Sequence, residues 1–288
     1  QEIGGRQGEG VTLNNISQIY DAKGDYDTAL RYLEQSLGIQ QEIGDRQGEG
    51  TTLNNISQIY QVRGDYDTAL RFLEQSLGIV QEIGDRRGEG VTLNNISQIY
   101  RARGDYDTAL RFLEQSLGIR QEIGDRRGEG TILNNISQIY KARGDYDTAL
   151  RFLEQSLGIR QEIGDRQGES VTLNNIGQIH GARGDYDEAL RYAEMDLVIC
   201  QEIGDIAGLA ATLNNMGAIH LNQQNDIESA VKAFLQSYQI LKQIGSPDIQ
   251  HPESYLKDII KRIGGARFNK IIGTEGMLML KQRGFVYP

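Results

Sequence analysis

The sequence predicts an all-α fold, a solenoid of antiparallel helix pairs closed by a C-terminal helical cap. Three observations predict it. The string LNNISQIY recurs at residues 13–20, 53–60, 93–100 and 133–140, always 40 positions apart. Residues 41–160 are three near-copies of one unit, QEIGDR-GEG-LNNISQIY-RGDYDTALRFLEQSLGI. Within each unit, apolar residues recur at helical spacing in two stretches separated by Gly-Asp. A fixed period of this size means an array, in which each unit buries its apolar face only by stacking on its neighbours. The array overrides the two-domain expectation that 288 residues would otherwise suggest.

Residues 45–84 show the unit. Asp45 follows the helix-stopping Gly44 and predicts an N-cap. The first helix, helix A, then runs to Val62 or Arg63. At 100° per residue, Leu53, Ile56, Ser57 and Tyr60 form one stripe. Gly64 ends that helix and Asp65 caps the next, helix B, which ends near Ile83. Helix B presents Tyr66, Ala69, Leu70, Leu73 and Leu77. Short loops make the two helices antiparallel neighbours. Ser57 and Ala69 are small where the helices approach. Asp67 and Arg71 form an i, i+4 pair worth a few tenths of a kcal/mol.

The later elements are less regular. In the sixth unit NDIESAVKAFLQSYQI replaces GDYDTALRFLEQSLGI with one inserted residue, so Ala230 stands for Ala189. Beyond it lies GSPDIQHPE. Pro252 suits a first helical turn, Ser254 to Ile263 reads as that helix, and Gly264-Gly265 ends it. Residues 266–282 read as one or two short helices. The expected organisation is six units over residues 1–243 and a cap over 244–288, since terminal repeats need a polar outer face.

The series Leu53, Ile56, Ser57, Tyr60, Gly64, Tyr66, Ala69, Leu73 resembles the tetratricopeptide repeat, and units five and six restore its small residue as Gly177 and Gly217. The family's Trp is absent, Gln81 stands for its terminal Pro, and the period is 40. That longer period is similar to the repeats of kinesin light chains and of bacterial signalling-protein arms. The resemblance covers residues 5–243. It implies a right-handed TPR-like superhelix whose helix A faces line a concave groove, and a protein or peptide partner.

The groove side of helix A holds Val11, Asn15, Gln18 and Ala22, with Asn14 and Asp21 on its flank. The implied ladder is Asn15, Asn55, Asn95, Asn135, Asn175 and Asn215, beside Gln18, Gln58, Gln98, Gln138 and Gln178. A carboxamide both donates and accepts, so such a row can hold the main chain of an extended peptide. The competing reading is that the amides bond to neighbouring helices or water. Position 21 and its equivalents read Asp21, Gln61, Arg101, Lys141, Gly181 and Leu221, the most varied helix A position. These residues are candidates for partner specificity, against simple drift at an exposed site.

Charge and chemistry narrow the function further. Residues 241–288 carry eight basic and four acidic residues, a net +4, so residues 1–240 carry −14 within a total of −10. An acidic array is a poor match for nucleic acid. The basic tail reads as a solvated cap before it reads as a contact for an acidic partner. One cysteine, Cys200, excludes an internal disulfide and fits a cytoplasmic setting. No apolar run is long enough to span a bilayer, and no secretory signal is present. The opening QEIG, which ends a unit elsewhere, is read as the start of a fragment.

No cofactor or metal is expected. His180 and His220 stand where Tyr20 stands and read as packing variants. Asp65-Tyr66-Asp67 lacks the rest of a calcium loop. The GDRRGEG runs have glycine spacings loosely like a nucleotide loop but follow no strand. The expectation is a non-enzymatic interaction scaffold. The alternatives are the sensor arm of a larger signalling ATPase or protease, and a spacer that self-associates end to end through its near-identical interfaces.

Overall fold

The computed structural model describes residues 2–223 and 226–282. Every regular element among them is helical. The chain divides into two compact units, residues 1–143 and 144–288.

The first unit contains α1 (Glu2–Ala22), α2 (Tyr26–Ile43), α3 (Arg46–Val62), α4 (Tyr66–Glu82), α5 (Arg86–Ala102), α6 (Tyr106–Glu122) and α7 (Arg126–Ala142). Odd-numbered helices are helix A and even-numbered ones helix B. The boundaries come from local chemistry. Asp45 accepts from the Gly48 N–H at 2.9 Å, and Asp65 accepts from the Thr68 N–H at 3.1 Å, so each carboxylate satisfies a donor left over in the first turn. Gly44 closes α2 at φ 71°, a left-handed conformation that glycine adopts without strain.

The core repeats with the sequence. Ala29, Leu30 and Leu33 of α2 pack on Ile56 and Ile59 of α3, and Ala69, Leu70 and Leu73 of α4 pack on Ile96 and Ile99 of α5. Tyr60 stacks on Phe72 with centroids 5.6 Å apart, and Tyr100 stacks on Phe112 at the same separation. The stripe expected for helix A therefore omitted one core member, Ile59. The expected Asp67–Arg71 pair does not form. Asp67 pairs with Arg103 of the following repeat, and Arg71 donates to the Thr68 hydroxyl at 3.2 Å. The same register joins Asp27 to Arg63 and Asp107 to Arg143, each at 2.5 Å. All three aspartates are largely exposed, so these pairs contribute little.

The second unit contains α8 (Tyr146–Glu162), α9 (Arg166–Arg183), α10 (Tyr186–Ile203), α11 (Ile206–Asn222), α12 (Ile227–Gln243), α13 (Gln250–Ile263) and α14 (Gly265–Gln282), with a 3₁₀ turn at Pro247–Ile249 before α13. Pro252 lies in the first turn of α13, which begins four residues earlier than Ser254. Gly273 breaks α14 with φ 67° and ψ −177°. The Ser237 hydroxyl donates to the Ala210 carbonyl at 2.7 Å, as Ser36 donates to Gly10 at 2.8 Å. The first pair is 27 residues apart and the second 26, so the extra residue of the sixth repeat is absorbed before α12 without loss of packing register.

Beyond α12 the core continues. Ala230, Val231, Phe234 and Tyr238 are buried with Leu256, Ile259 and Ile260 of α13 and Phe268 of α14. The Phe234 and Tyr255 rings stack at 4.5 Å. Ile240 is half-buried and stands outside this cluster.

Candidate functional site

The exposed side of helix A carries a run of polar clefts in the first unit. One, of about 350 Å³, lies between α1 and α3 and is lined by Asn14, Asn15, Gln18, Gln40, Asp45, Gln47 and Asn55 among others. A second, of about 250 Å³, adjoins it and brings together Gln18, Asp21, Asn55 and Gln58. The structure thus collects Asn15, Gln18, Asp21, Asn55 and Gln58 around two clefts that share Gln18 and Asn55. Asn15, Gln18 and Gln58 are exposed, while Asp21 and Asn55 are half-buried.

The asparagine ladder is also part of the scaffold. Asn55 Nδ2 donates to Asn14 Oδ1 at 2.8 Å, Asn95 to Asn54 at 3.1 Å, Asn135 to Asn94 at 2.8 Å, and Asn215 to Asn174 at 3.0 Å. Each of these four amides spends one N–H on the preceding repeat and keeps its Oδ1 lone pairs for other donors. Asn95 is buried, and Asn135, Asn175 and Asn215 are half-buried. Of the remaining glutamines, Gln98 and Gln138 are half-buried. Gln178 is exposed and donates to Asn174 at 3.0 Å.

The flanking row, Asn14 and Asn54, is the structural one. Asn54 is buried, and its Nδ2 lies within 2.6 Å of the Ser76 hydroxyl, 2.9 Å of the Thr92 hydroxyl and 3.2 Å of the Gly50 carbonyl. Sequence reasoning placed this row on the groove flank. Its burial depends on how one helix A leans on the next, which a single-helix projection does not contain.

At the variable position, Asp21, Gln61 and Lys141 are half-buried and Arg101 is exposed. Arg101 donates to the Gln138 carboxamide, so one candidate specificity residue ties directly to one candidate ladder residue of the next repeat. Burial lowers the Lys141 pKa from its ordinary value.

A third cleft, of about 310 Å³, lies between α5 and α7 and differs from the first in charge. Arg87, Arg120 and Arg127 line it, together with Asp125. Arg120 is 6% exposed, and its Nη1 donates to Asp125 Oδ2 at 2.5 Å. Burial works against ionisation of Asp125. The Gly128 N–H and the Arg120 and Arg87 guanidinium groups outweigh it and hold the carboxyl below its ordinary value. The residue series that changes this cleft, Gln40, Val80, Arg120, Arg160, Cys200 and Leu241, was visible in the sequence as variation between near-copies. Its position at the end of helix B hid the fact that it faces the helix A groove.

The other chemistry-bearing residues are packed. His180 stacks on Tyr192 at 5.5 Å, as Tyr20 stacks on Tyr32 at the same distance, and its Nδ1 lies 3.6 Å from Asp185. His220 lies 3.7 Å from Asp226. Cys200 is buried, and that burial pushes its thiol pKa up. Among the described residues no cluster of three or more His, Cys, Asp or Glu is placed to hold a metal. No helix among them is long and apolar enough to cross a membrane.

Models of the tetratricopeptide repeat match residues 11–43, 48–122, 128–195 and 168–243. The chain belongs to the tetratricopeptide repeat family. The departures noted above, no Trp and a 40-residue period, are therefore variations within it. No curated protein sequence matches the chain. Solved structures do. The STAND protein with a tetratricopeptide repeat sensor from Pyrococcus horikoshii superposes with a TM-score of 0.71 at 17% identity, over 94% of this chain and 41% of that one. A Rap protein complexed with Competence and Sporulation Factor gives 0.66 at 16% identity, over 96% and 73%. A putative kinesin light chain with nearly identical TPR-like repeats from Podosopora anserina gives 0.55 at 17% identity, over 67% and 95%. At these identities the likeness is one of fold.

Proposed function

We propose that this tetratricopeptide repeat chain is a protein-interaction scaffold whose helix A face takes an extended segment of a partner, without chemistry of its own. The observation that carries the reading is the pair of adjoining clefts in the first unit. There Asn15, Gln18, Asn55 and Gln58 line open space at repeat spacing. Amide acceptors and donors at that spacing suit peptide N–H and C=O groups whatever the partner's side chains. The Rap protein superposed above is complexed with Competence and Sporulation Factor, which supports a bound partner for a fold of this kind.

The test uses a peptide selected from a random library and measured by calorimetry. Replacing Gln18 and Gln58 with Ala is expected to weaken binding by about 1–3 kcal/mol in total, one or two net hydrogen bonds each. The melting temperature should hold, because both side chains are exposed. Asn95→Ala separates the roles of the two rows, since it also removes the bond to Asn54 and should lower the melting temperature. Unchanged affinity in the double glutamine variant would remove the groove assignment.

A second reading, end-to-end self-association, is favoured by one feature. Ile19 is 55% exposed, whereas its equivalents Ile59, Ile99, Ile139 and Ile179 are at most 2% exposed. Ile19→Lys is expected to abolish any rise in mass on concentration in light scattering. A wild-type mass that stays constant across the dilution series sinks this reading.

A further inference from the structure

The aspartates that cap successive A helices meet different side chains from the end of helix B. Asp125 accepts from Arg120 Nη1 at 2.5 Å, and Asp165 accepts from Arg160 in the same way. Both arginines are at most 7% exposed. The fold thus seats a guanidinium beside the capping carboxylate twice. At Asp45 the arginine is replaced by Gln40. Asp45 accepts from the Gly48 N–H at 2.9 Å, and among the described residues its carboxylate has no ion pair. Gln40 is 3% exposed, lines the cleft between α1 and α3, and leaves its Oε1 without a hydrogen-bond partner. A buried acceptor without a donor costs free energy that a donor entering the cleft would recover. A carboxylate without a cation and a carboxamide oxygen without a donor therefore share one cleft of about 350 Å³. Both suit the same guest, a cationic N–H donor.

The charge around them agrees. Among the described residues, no lysine or arginine lines this cleft or the one adjoining it. The adjoining cleft adds a second carboxylate, Asp21, where later repeats have Gln61, Arg101 and Lys141. The corresponding cleft between α5 and α7 is lined by Arg87, Arg120 and Arg127 in place of Gln7, Gln40 and Gln47. That cleft brings its guanidinium groups from within the chain. The first cleft has the carboxylates and no cation of its own.

We propose that the cleft between α1 and α3 is an arginine-binding subsite, in which Asp45 and Gln40 receive the guanidinium of a partner's side chain and Asp21 adds attraction from the adjoining cleft. The guest takes from outside the place that Arg120 and Arg160 take from within. A guanidinium carries five N–H donors in a planar fork, enough for a carboxylate and a carboxamide oxygen together. The inference rests on the partner-segment reading given above and adds the side chain that the segment carries. It also fixes the segment's register, because the seats at Asp125 and Asp165 are filled by the chain's own arginines.

The experiment titrates a short capped Gly-Ser peptide with one central arginine into the ¹⁵N-labelled intact chain at low ionic strength, followed by NMR. The same peptide with citrulline, the neutral isostere of arginine, is the reference. The arginine peptide is expected to bind saturably and at least tenfold tighter. Asp45→Asn keeps a good N-cap while removing the charge, and should erase that preference with little change in melting temperature. Gln40→Arg copies Arg120, fills the seat from within and should erase it too, which guards against a folding defect in the first variant. N-acetylarginine amide separates the sources. Weaker binding than the peptide's identifies a partner segment, and equal affinity assigns the seat to a free guanidinium compound and counts against the segment. No saturable binding of the arginine peptide overturns the proposal. So does equal affinity for the citrulline peptide, or a preference for arginine that survives both variants. The groove reading fails separately, through the library peptide and the Gln18 and Gln58 variants.

Discussion

Deleting residues 246–288 is expected to convert this chain into a species that aggregates and melts from its C-terminal end. Val231, Phe234 and Tyr238 of α12 are at most 2% exposed, and what covers them includes Leu256, Ile259, Ile260 and Phe268 of the tail. Burying one large apolar side chain contributes about 1.5–3 kcal/mol. Losing four from the tail therefore far exceeds the roughly 1 kcal/mol of a typical point substitution. The loss should be local, because stability in an array is a nearest-neighbour sum. Hydrogen exchange would show α11 and α12 unprotected while α3 to α6 keep their protection. A truncated chain that stays monomeric with an unchanged melting temperature would show that the tail does not act as a cap.

Asp196→Ala is expected to be the most damaging single polar substitution in the second unit. Asp196 is 1% exposed and stands where the other repeats have a serine. Its carboxylate accepts from the Ser170 hydroxyl at 2.5 Å and from the Thr212 hydroxyl at 2.6 Å. The Cys200 thiol is 3.5 Å from the same carboxylate. Alanine leaves those donors buried with their acceptor removed, at about 1–3 kcal/mol for each hydroxyl that finds no substitute. Thr212 also donates to the Gly208 carbonyl at 3.0 Å, which spares part of its share, so a total of about 2–4 kcal/mol is expected. The compensated variant, Asp196→Ser with Ser170→Gly, recreates the arrangement in which Ser76 donates to the Gly50 carbonyl at 2.9 Å. It should recover most of the loss. Urea denaturation followed by circular dichroism measures both. Equal destabilisation of the alanine and compensated variants would show that the network contributes little beyond side-chain volume.

The parts of the fold set by local chemistry were legible. Gly44-Asp45 and Gly64-Asp65 place the helix ends where the structure has them, because capping needs only residues within one turn. The 40-residue period made the helix pairs a single problem solved repeatedly. The tail was less legible. Which side chains of α12 meet α13 depends on where the tail folds back: Tyr238 is buried there, and Ile240 is half-buried outside the cluster. The charge pairs follow the same rule. Asp67 has Arg71 one turn away, yet pairs with Arg103, which only stacking brings near.

The sequence by itself determined that this is a tetratricopeptide repeat array and where the helices of its repeats begin and end. Those conclusions rest on periodicity and on contacts within a turn, both properties of a linear string. Only the tertiary structure decided which polar residues the helix A face can spare. The lean of one helix A on the next buries Asn54 and ties Asn95 to it, while leaving Gln18 and Gln58 exposed. The reach of helix B between two A helices then carries Arg120 from the end of one element into a cleft formed by two others. Distances between repeats are set by packing, and residues 40 apart become neighbours only after the helices have stacked.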